Sequence, residues 1–238
     1  MRPRLPRPCR LFLFDLDGTL IDSTMDIALS VNLALGSMSL PGIRPARIAS
    51  FVGDGVRKLI ERSLREVLGI DAQGPLLRDT MQRYLGEYER HLLDSTRLYP
   101  GVKDALDHLR WARLAVVTNK PERFSRRILD ALGVGDRFCV ILGGDSTAAG
   151  KPDPGPLRLA MERCGATAAD TVMVGDSPVD IRAGKAAGVM TCGIAYEEAK
   201  GKQLEAAGCD LMIQEMTELL LHFRPARTLK NHGETESF

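Results

Sequence analysis

Apolar residues run together in short blocks along most of this chain, and between those blocks they recur every three or four positions. Leu11 to Phe14 are four apolar residues in succession, which predicts a short buried strand. From Ser23 the period changes. Ile27, Val31 and Leu35 fall on one helical face, Val56, Leu59, Ile60, Leu64, Val67 and Leu68 mark a second amphipathic helix, and Leu76 to Leu93 has room for a third. No strand pattern is legible before Tyr99. Beyond Tyr99-Pro100-Gly101 the two periods alternate. Helix is predicted over Val102 to Trp111, strand over Leu114 to Val117, helix over Glu122 to Leu132 and strand over Phe138 to Leu142. Helix over Pro156 to Cys164 and strand over Thr171 to Val174 follow, then two short strands at Thr191 to Ile194 and Leu211 to Ile213.

This alternation predicts an α/β fold, a Rossmann-like parallel sheet with helices on both faces, whose right-handed crossovers bring successive strand ends to one edge. The helical stretch between the first strand and Tyr99 is too long for an ordinary crossover and is expected to form a separate α-helical cap inserted into the core domain. The predicted division is an α/β catalytic core of residues 10–22 and 99–225, a helical cap of 23–98, a flexible N-terminal extension of 1–9 and a flexible C-terminal tail of 226–238.

Acids mark the strand ends. The first predicted strand stops at Asp15 and Asp17, followed by Gly18-Thr19; a later cluster of this kind is Gly175-Asp176-Ser177, with Asp180 just beyond. Ligands of open parallel sheets bind at the C-terminal strand ends, so two carboxylates one residue apart at such an end suit a nucleophile with a neighbouring acid/base. The stretch DLDGTLIDS resembles the D-x-D-G-T signature of the haloacid dehalogenase superfamily of phosphatases, and the resemblance extends from Leu11 to about Leu221. It implies that Asp15 is the nucleophile and Asp17 the acid/base, that Thr118 and Asn119 hold phosphoryl oxygens, and that Lys151, in AGKPDPGP, faces the nucleophile and the transferring group.

An attacking carboxylate and a phosphate dianion about 4 Å apart repel by roughly 8 kcal/mol at an effective dielectric near 20, more than one lysine comfortably offsets. A divalent cation is implied, and an all-oxygen site suits Mg²⁺. The resemblance assigns it to Asp15, Asp176 and the backbone carbonyl of Asp17, with Asp180 either touching the metal or holding a residue that does. In the helical insertion, FVGDGVRKL carries Gly53, Gly55 and Arg57 and resembles the G-x-G segment in the caps of phosphoglycolate phosphatases. That likeness implies 2-phosphoglycolate as substrate, with Gly53, Gly55 and Arg57 in its recognition. A glycine turn opening an amphipathic helix is the alternative reading of the same residues.

The balance of 32 basic and 31 acidic residues, a net charge of +1, offers nothing to nucleic acid or an acidic membrane, so the expected partner is a small phosphate ester. Five scattered cysteines without a CxxC pair argue against a disulfide framework and a zinc site, and no stretch is long enough to span a membrane. A cytoplasmic monomer or homodimer is expected. Asp17 speaks against hydrolytic dehalogenases, which lack that acid, and against phosphonoacetaldehyde hydrolases, which carry a small residue there. Sugar or amino-sugar phosphatases, pyrophosphatases, sugar phosphomutases and a catalytically silent phosphate-binding module remain open at this point.

Overall fold

The computed structural model describes residues 6–226 of the protein. The chain starts with β1 (Arg7–Cys9) and β2 (Leu11–Phe14), then turns through β3 (Ile21–Asp22) into four helices, α1 (Thr24–Gly36), α2 (Pro45–Ala49), α3 (Val56–Leu68) and α4 (Gly74–Arg90). It returns through β4 (Arg97–Leu98) and then alternates: α5 (Val102–His108), β5 (Arg113–Val117), α6 (Glu122–Ala131), β6 (Val140–Leu142), α7 (Gly155–Arg163) and β7 (Thr171–Gly175). The last part is α8 (Pro178–Ala187), β8 (Met190–Ile194), α9 (Glu198–Ala207), β9 (Leu211–Ile213), α10 (Leu219–His222) and β10 (Phe223–Pro225).

Six of these strands form one parallel sheet in the order β6-β5-β2-β7-β8-β9. The strand with the paired acids is therefore flanked on both sides, Leu11 pairing with Arg113 of β5 and with Thr171 of β7. A strand so placed is covered above and below, which is why LFLF is apolar at every position rather than at alternate ones. Phe12 and Phe14 pack on one face with α5 and α6, and Phe12 meets Trp111 and Phe223 edge to face. Leu11 and Leu13 pack on the other face with Leu157 of α7 and Ala183 of α8. Each such side chain contributes roughly 1.5–3 kcal/mol by leaving water.

The four helices between β3 and β4 pack on one another, α1 against α2 and α4, and α3 against α4. Their apolar faces, including Val31, Leu35, Leu77, Tyr84 and Tyr88, are continuous with the core above Phe12 and Phe14.

Three features depart from the expected pattern. Residues 7–9, assigned to a flexible extension, form a strand parallel to β10, with Arg7 opposite Phe223 and Pro8 opposite Arg224. The stretch before Tyr99 is not free of strand: β3 and β4 make a two-stranded antiparallel ribbon, Ile21 opposite Leu98 and Asp22 opposite Arg97, where the chain leaves the core and re-enters it. A short helix, α2, was not expected, its first turn opened by Pro45. Ala226 is the last described residue, so the rest of the expected C-terminal tail lies outside the described residues.

The ribbon is braced by a buried acid. Asp26, on the first turn of α1, accepts the backbone N–H of Ser95 at 2.9 Å, that of Thr96 at 2.8 Å and the Thr96 hydroxyl at 2.6 Å. Asp26→Ala leaves those donors buried and unpaired and is expected to cost about 3 kcal/mol, lowering the melting temperature by roughly 10 °C. Thermal unfolding followed by circular dichroism checks this; a shift under about 2 °C shows that the brace contributes little.

Candidate active site

Because β2 lies between β5 and β7, the residues that follow these three strands meet at one edge of the sheet. Asp15 continues the ladder, its N–H donating to the carbonyl of Val174 at 2.9 Å, and its carboxylate is buried. Lys151, from the loop between β6 and α7, places its ammonium 2.8 Å from Asp15 Oδ1 and 2.6 Å from Asp180 Oδ1. The second oxygen of Asp180 accepts the N–H and the hydroxyl of Ser177, at 3.2 and 2.6 Å, capping α8. One oxygen of Asp180 thus holds Lys151 and the other the helix start.

Burial pushes the Asp15 carboxyl up to about 7; Lys151 pulls it down, while the neighbouring charges of Asp180 and Asp176 raise it further. Burial also works against the charge on Lys151, but attraction to Asp15 and Asp180 outweighs it and raises the ammonium's pKa. The Asp176 carboxyl is likewise raised, first by burial and against the pull of Lys200. Lys200, on α9, stands 2.7 Å from Asp176 Oδ2.

Asp17 lies in different company. It accepts the Ser23 hydroxyl at 2.5 Å, and Lys120 Nζ reaches both its oxygens, at 2.7 and 2.9 Å. The two acids of the DxD pair therefore have separate cations, Lys151 for one and Lys120 for the other. Gly18 makes this divergence possible. Its φ is +82°, and a Cβ there would stand 2.4 Å from Asp176 Oδ2, so both the turn and the approach of Asp176 require glycine.

Thr118 and Asn119 follow β5. Thr118 is buried, with its N–H on the Leu142 carbonyl at 3.0 Å and its Oγ1 accepting the N–H of Lys120 at 3.2 Å. Asn119 Nδ2 donates to the carbonyls of Gly53, at 3.0 Å, and Lys151, at 2.9 Å. One side-chain amide thus ties the loop before α3 to the lysine loop of the core. Gly53 and Gly55 both have positive φ, +118° and +86°, and both line a cavity between the strand ends and the helices, together with Asp15, Asp17, Thr118 and Lys120. Arg57 is directed elsewhere: its guanidinium pairs with Glu61 at 2.8 Å and is mostly exposed, and Lys58 pairs with the same carboxylate.

All the core residues singled out in the sequence therefore converge, whereas Arg57 pairs with Glu61 and lines a neighbouring cavity with Gly55, Asn119 and Lys151. Lys120, Lys200 and Ser23 were not anticipated. Lys120 follows Asn119 directly, and its position two residues beyond Thr118 was the only signal available; Lys200 had none.

Asp15, Asp176 and Asp180 each offer one oxygen within 4.8 Å of the other two. Three buried carboxylates, two of them with raised pKa values, form a hard oxygen donor set that favours a hard divalent cation over a soft one. Among the described residues no helix is long and apolar enough to cross a membrane.

Comparison with known proteins agrees with this geometry. A family model described as haloacid dehalogenase-like hydrolase matches residues 12–194. The phosphoglycolate phosphatase of Chromobacterium violaceum is 38% identical over 208 residues, covering 87% of this chain and 92% of the relative. That of Escherichia coli K12 is 35% identical over 245 residues, covering 94% of each. A crystal structure of a predicted phosphoglycolate phosphatase from Haemophilus somnus 129pt superimposes with a TM-score of 0.83 at 31% identity, covering 90% of this chain and 97% of that one. With the D-x-D-G-T turn, the lysine loop and the acids after β7 gathered on one sheet edge, and a match that spans nearly all of them, the chain belongs to the haloacid dehalogenase-like hydrolase family.

Proposed function

We propose that the protein is a Mg²⁺-dependent phosphomonoesterase that hydrolyses 2-phosphoglycolate to glycolate and phosphate through an aspartyl-phosphate. The observation that carries this reading is the split environment of the DxD pair: Asp15 is buried against Lys151 and two other acids, while Asp17 stands apart with Ser23 and Lys120. Two adjacent carboxylates in different surroundings can take different roles in one reaction. The names of the relatives support the substrate.

In this mechanism Thr118, the backbone around Asn119 and Lys151 hold the phosphoryl oxygens. An Asp15 oxygen attacks phosphorus, the bond to the leaving oxygen breaks, and Asp17 gives its proton to the departing alkoxide. Asp17 then takes a proton from the water that attacks the aspartyl-phosphate, which restores Asp15 and releases phosphate. Mg²⁺, held by Asp15, Asp176 and the carbonyl of Asp17, would supply the positive charge that lets a carboxylate approach a phosphate dianion. Asp180 keeps Lys151 in place throughout. Residues 23–98 act as a cap in this proposal: their helices cover the cavity, exclude water and select the leaving group, and the hydrogen bond from Asn119 to the Gly53 carbonyl supports this by tying the loop before α3 to the core. A cytoplasmic location belongs to the same proposal and rests on five free thiols.

Phosphate release with and without Mg²⁺, across 2-phosphoglycolate, hexose and amino-sugar phosphates, pyrophosphate and an aryl phosphate, tests this. The expected result is metal-dependent release, with kcat/KM for 2-phosphoglycolate exceeding the others by about tenfold or more. An even spread, or a preference for a sugar phosphate, removes the glycolate assignment and keeps the phosphatase. Silence on every ester overturns both.

A further inference from the structure

The geometry points to Lys120 as the residue that selects carboxylate-bearing phosphomonoesters, its ammonium being shared between Asp17 and the carboxylate of the bound substrate. This deepens the phosphatase reading above and rests on it.

The argument begins with charge in the cavity. Its walls on the helical side are apolar, with Ile27, Val52, Val56 and Leu59 among them, and among the described residues Lys120 is the one cationic side chain in its lining. A substrate carboxylate entering such a space loses its water and needs a cation, or the burial costs several kcal/mol. The cations nearest in sequence to the G-x-G loop are not in this lining: Arg57 and Lys58 both pair with Glu61, and Arg57 lines a neighbouring cavity with Gly55, Asn119 and Lys151. Gly53 turns its carbonyl, not a donor, toward Asn119.

Lys120 is built for the role. Its backbone is fixed in the turn after β5, its N–H on Thr118 Oγ1 and its carbonyl accepting the N–H of Gly144 at 2.9 Å, so its stem starts from a rigid point beside the phosphoryl site. The side chain is buried and its ammonium lies 4.6 Å from the centre of the Tyr88 ring. Two of its three hydrogens suffice for the two oxygens of Asp17, and the bidentate pairing can relax to a single bond when a second carboxylate arrives.

A second observation favours an anion at the same place. The hydroxyl of Tyr88, in the lining of this cavity, is buried with no hydrogen-bond partner among the described residues, although Ser23 lies close by. An unpaired buried phenol is a donor waiting for an acceptor. Asn119 Oδ1, which is also without a partner among the described residues, cannot donate, whereas the phenol belongs to the ring over which the Lys120 ammonium sits. A substrate with phosphate at Thr118 and Lys151 and a carboxylate one carbon away would find its second anionic group matched by Lys120 and Tyr88.

The test compares 2-phosphoglycolate with its neutral amide, 2-phosphoglycolamide, as substrates of the wild-type protein and of Lys120→Met, Lys120→Gln and Lys120→Arg, with an aryl phosphate as a common reference. The wild-type protein is expected to prefer the acid over the amide by about 100-fold in kcat/KM. Met and Gln are expected to bring that ratio to within about threefold of unity, mainly through KM for the acid, whatever common loss follows from disturbing Asp17; Arg should restore about a tenth of the preference or more. A wild-type protein indifferent to the amide overturns the proposal without any variant. So does an acid-to-amide ratio that survives in Lys120→Met, since Lys120 then serves Asp17 alone. Failure of the wild-type protein on the aryl phosphate as well identifies failure of the phosphatase reading instead.

Discussion

Asp15→Asn is expected to lower turnover by about 10⁴-fold or more while leaving the fold intact. The amide has the shape of the carboxylate but cannot attack phosphorus, so no aspartyl-phosphate forms. Stability should hold for a separable reason. A buried carboxyl raised to about 7 is favoured in its protonated form, so as pH climbs from about 4 toward 7 its ionisation withdraws folding free energy in the metal-free protein. The neutral amide removes that cost, and Lys151 keeps Asp180 as its partner. The melting temperature of the metal-free variant at neutral pH should therefore stay within about 3 °C of the parent or exceed it. Phosphate release under single-turnover conditions, alongside thermal unfolding, makes the check. Retention of more than about 1% of wild-type turnover would remove Asp15 from its role.

Lys151→Met should be damaging to both activity and fold. The ammonium stands between Asp15 and Asp180, all three buried, and methionine leaves two carboxylates facing each other with no cation between them. Breaking a buried pair by removing one partner typically costs about 3–5 kcal/mol, which for a chain of this size lowers the melting temperature by roughly 10 °C. Turnover should fall below detection, because the charge that accompanies the phosphoryl group is gone. The double variant Lys151→Met with Asp180→Asn distinguishes the two roles. It should recover roughly half of the lost stability, since one uncompensated charge has been removed, and none of the activity. A double variant no more stable than Lys151→Met would show that the cost of losing the lysine arises outside this ion pair.

Much of this architecture was legible because its signals are local. LFLF followed by two acids announces a buried strand ending in chemistry, and the alternation beyond Tyr99 predicts the parallel sheet to within a few residues at each boundary. The missed elements lack such signals. β1 and β10 carry Pro8 and Pro225, which weaken any strand pattern, and each strand has only the other as a partner in a two-stranded pair. β3 and β4 have two residues apiece, too few to show a period. The site divides in the same way. Asp15, Asp17, Thr118, Lys151 and Asp176 sit in motifs at strand ends, whereas Lys200 lies on a polar helix and reaches Asp176 only because β8 and α9 fold back over β7. Arg57 shows a different limit: a cation close to a glycine loop in sequence also finds an acid one helical turn away, a pairing the motif alone does not announce.

The position of β2 in the sheet also bears on how the protein is made. The strand that leads into Asp15 leaves the ribosome well before its neighbours, one of which begins at Arg113 and the other at Thr171. At ordinary synthesis rates of about 5–20 residues per second, Leu11 to Phe14 wait roughly ten to thirty seconds for the second partner. Throughout that interval an apolar strand with unpaired edges is a template for the wrong partner, on its own chain or another. The arrangement that puts the carboxylate at the centre of the finished sheet thus makes the nascent chain dependent on shielding, and overproduction that outruns chaperone capacity should favour inclusion bodies over misfolded soluble protein.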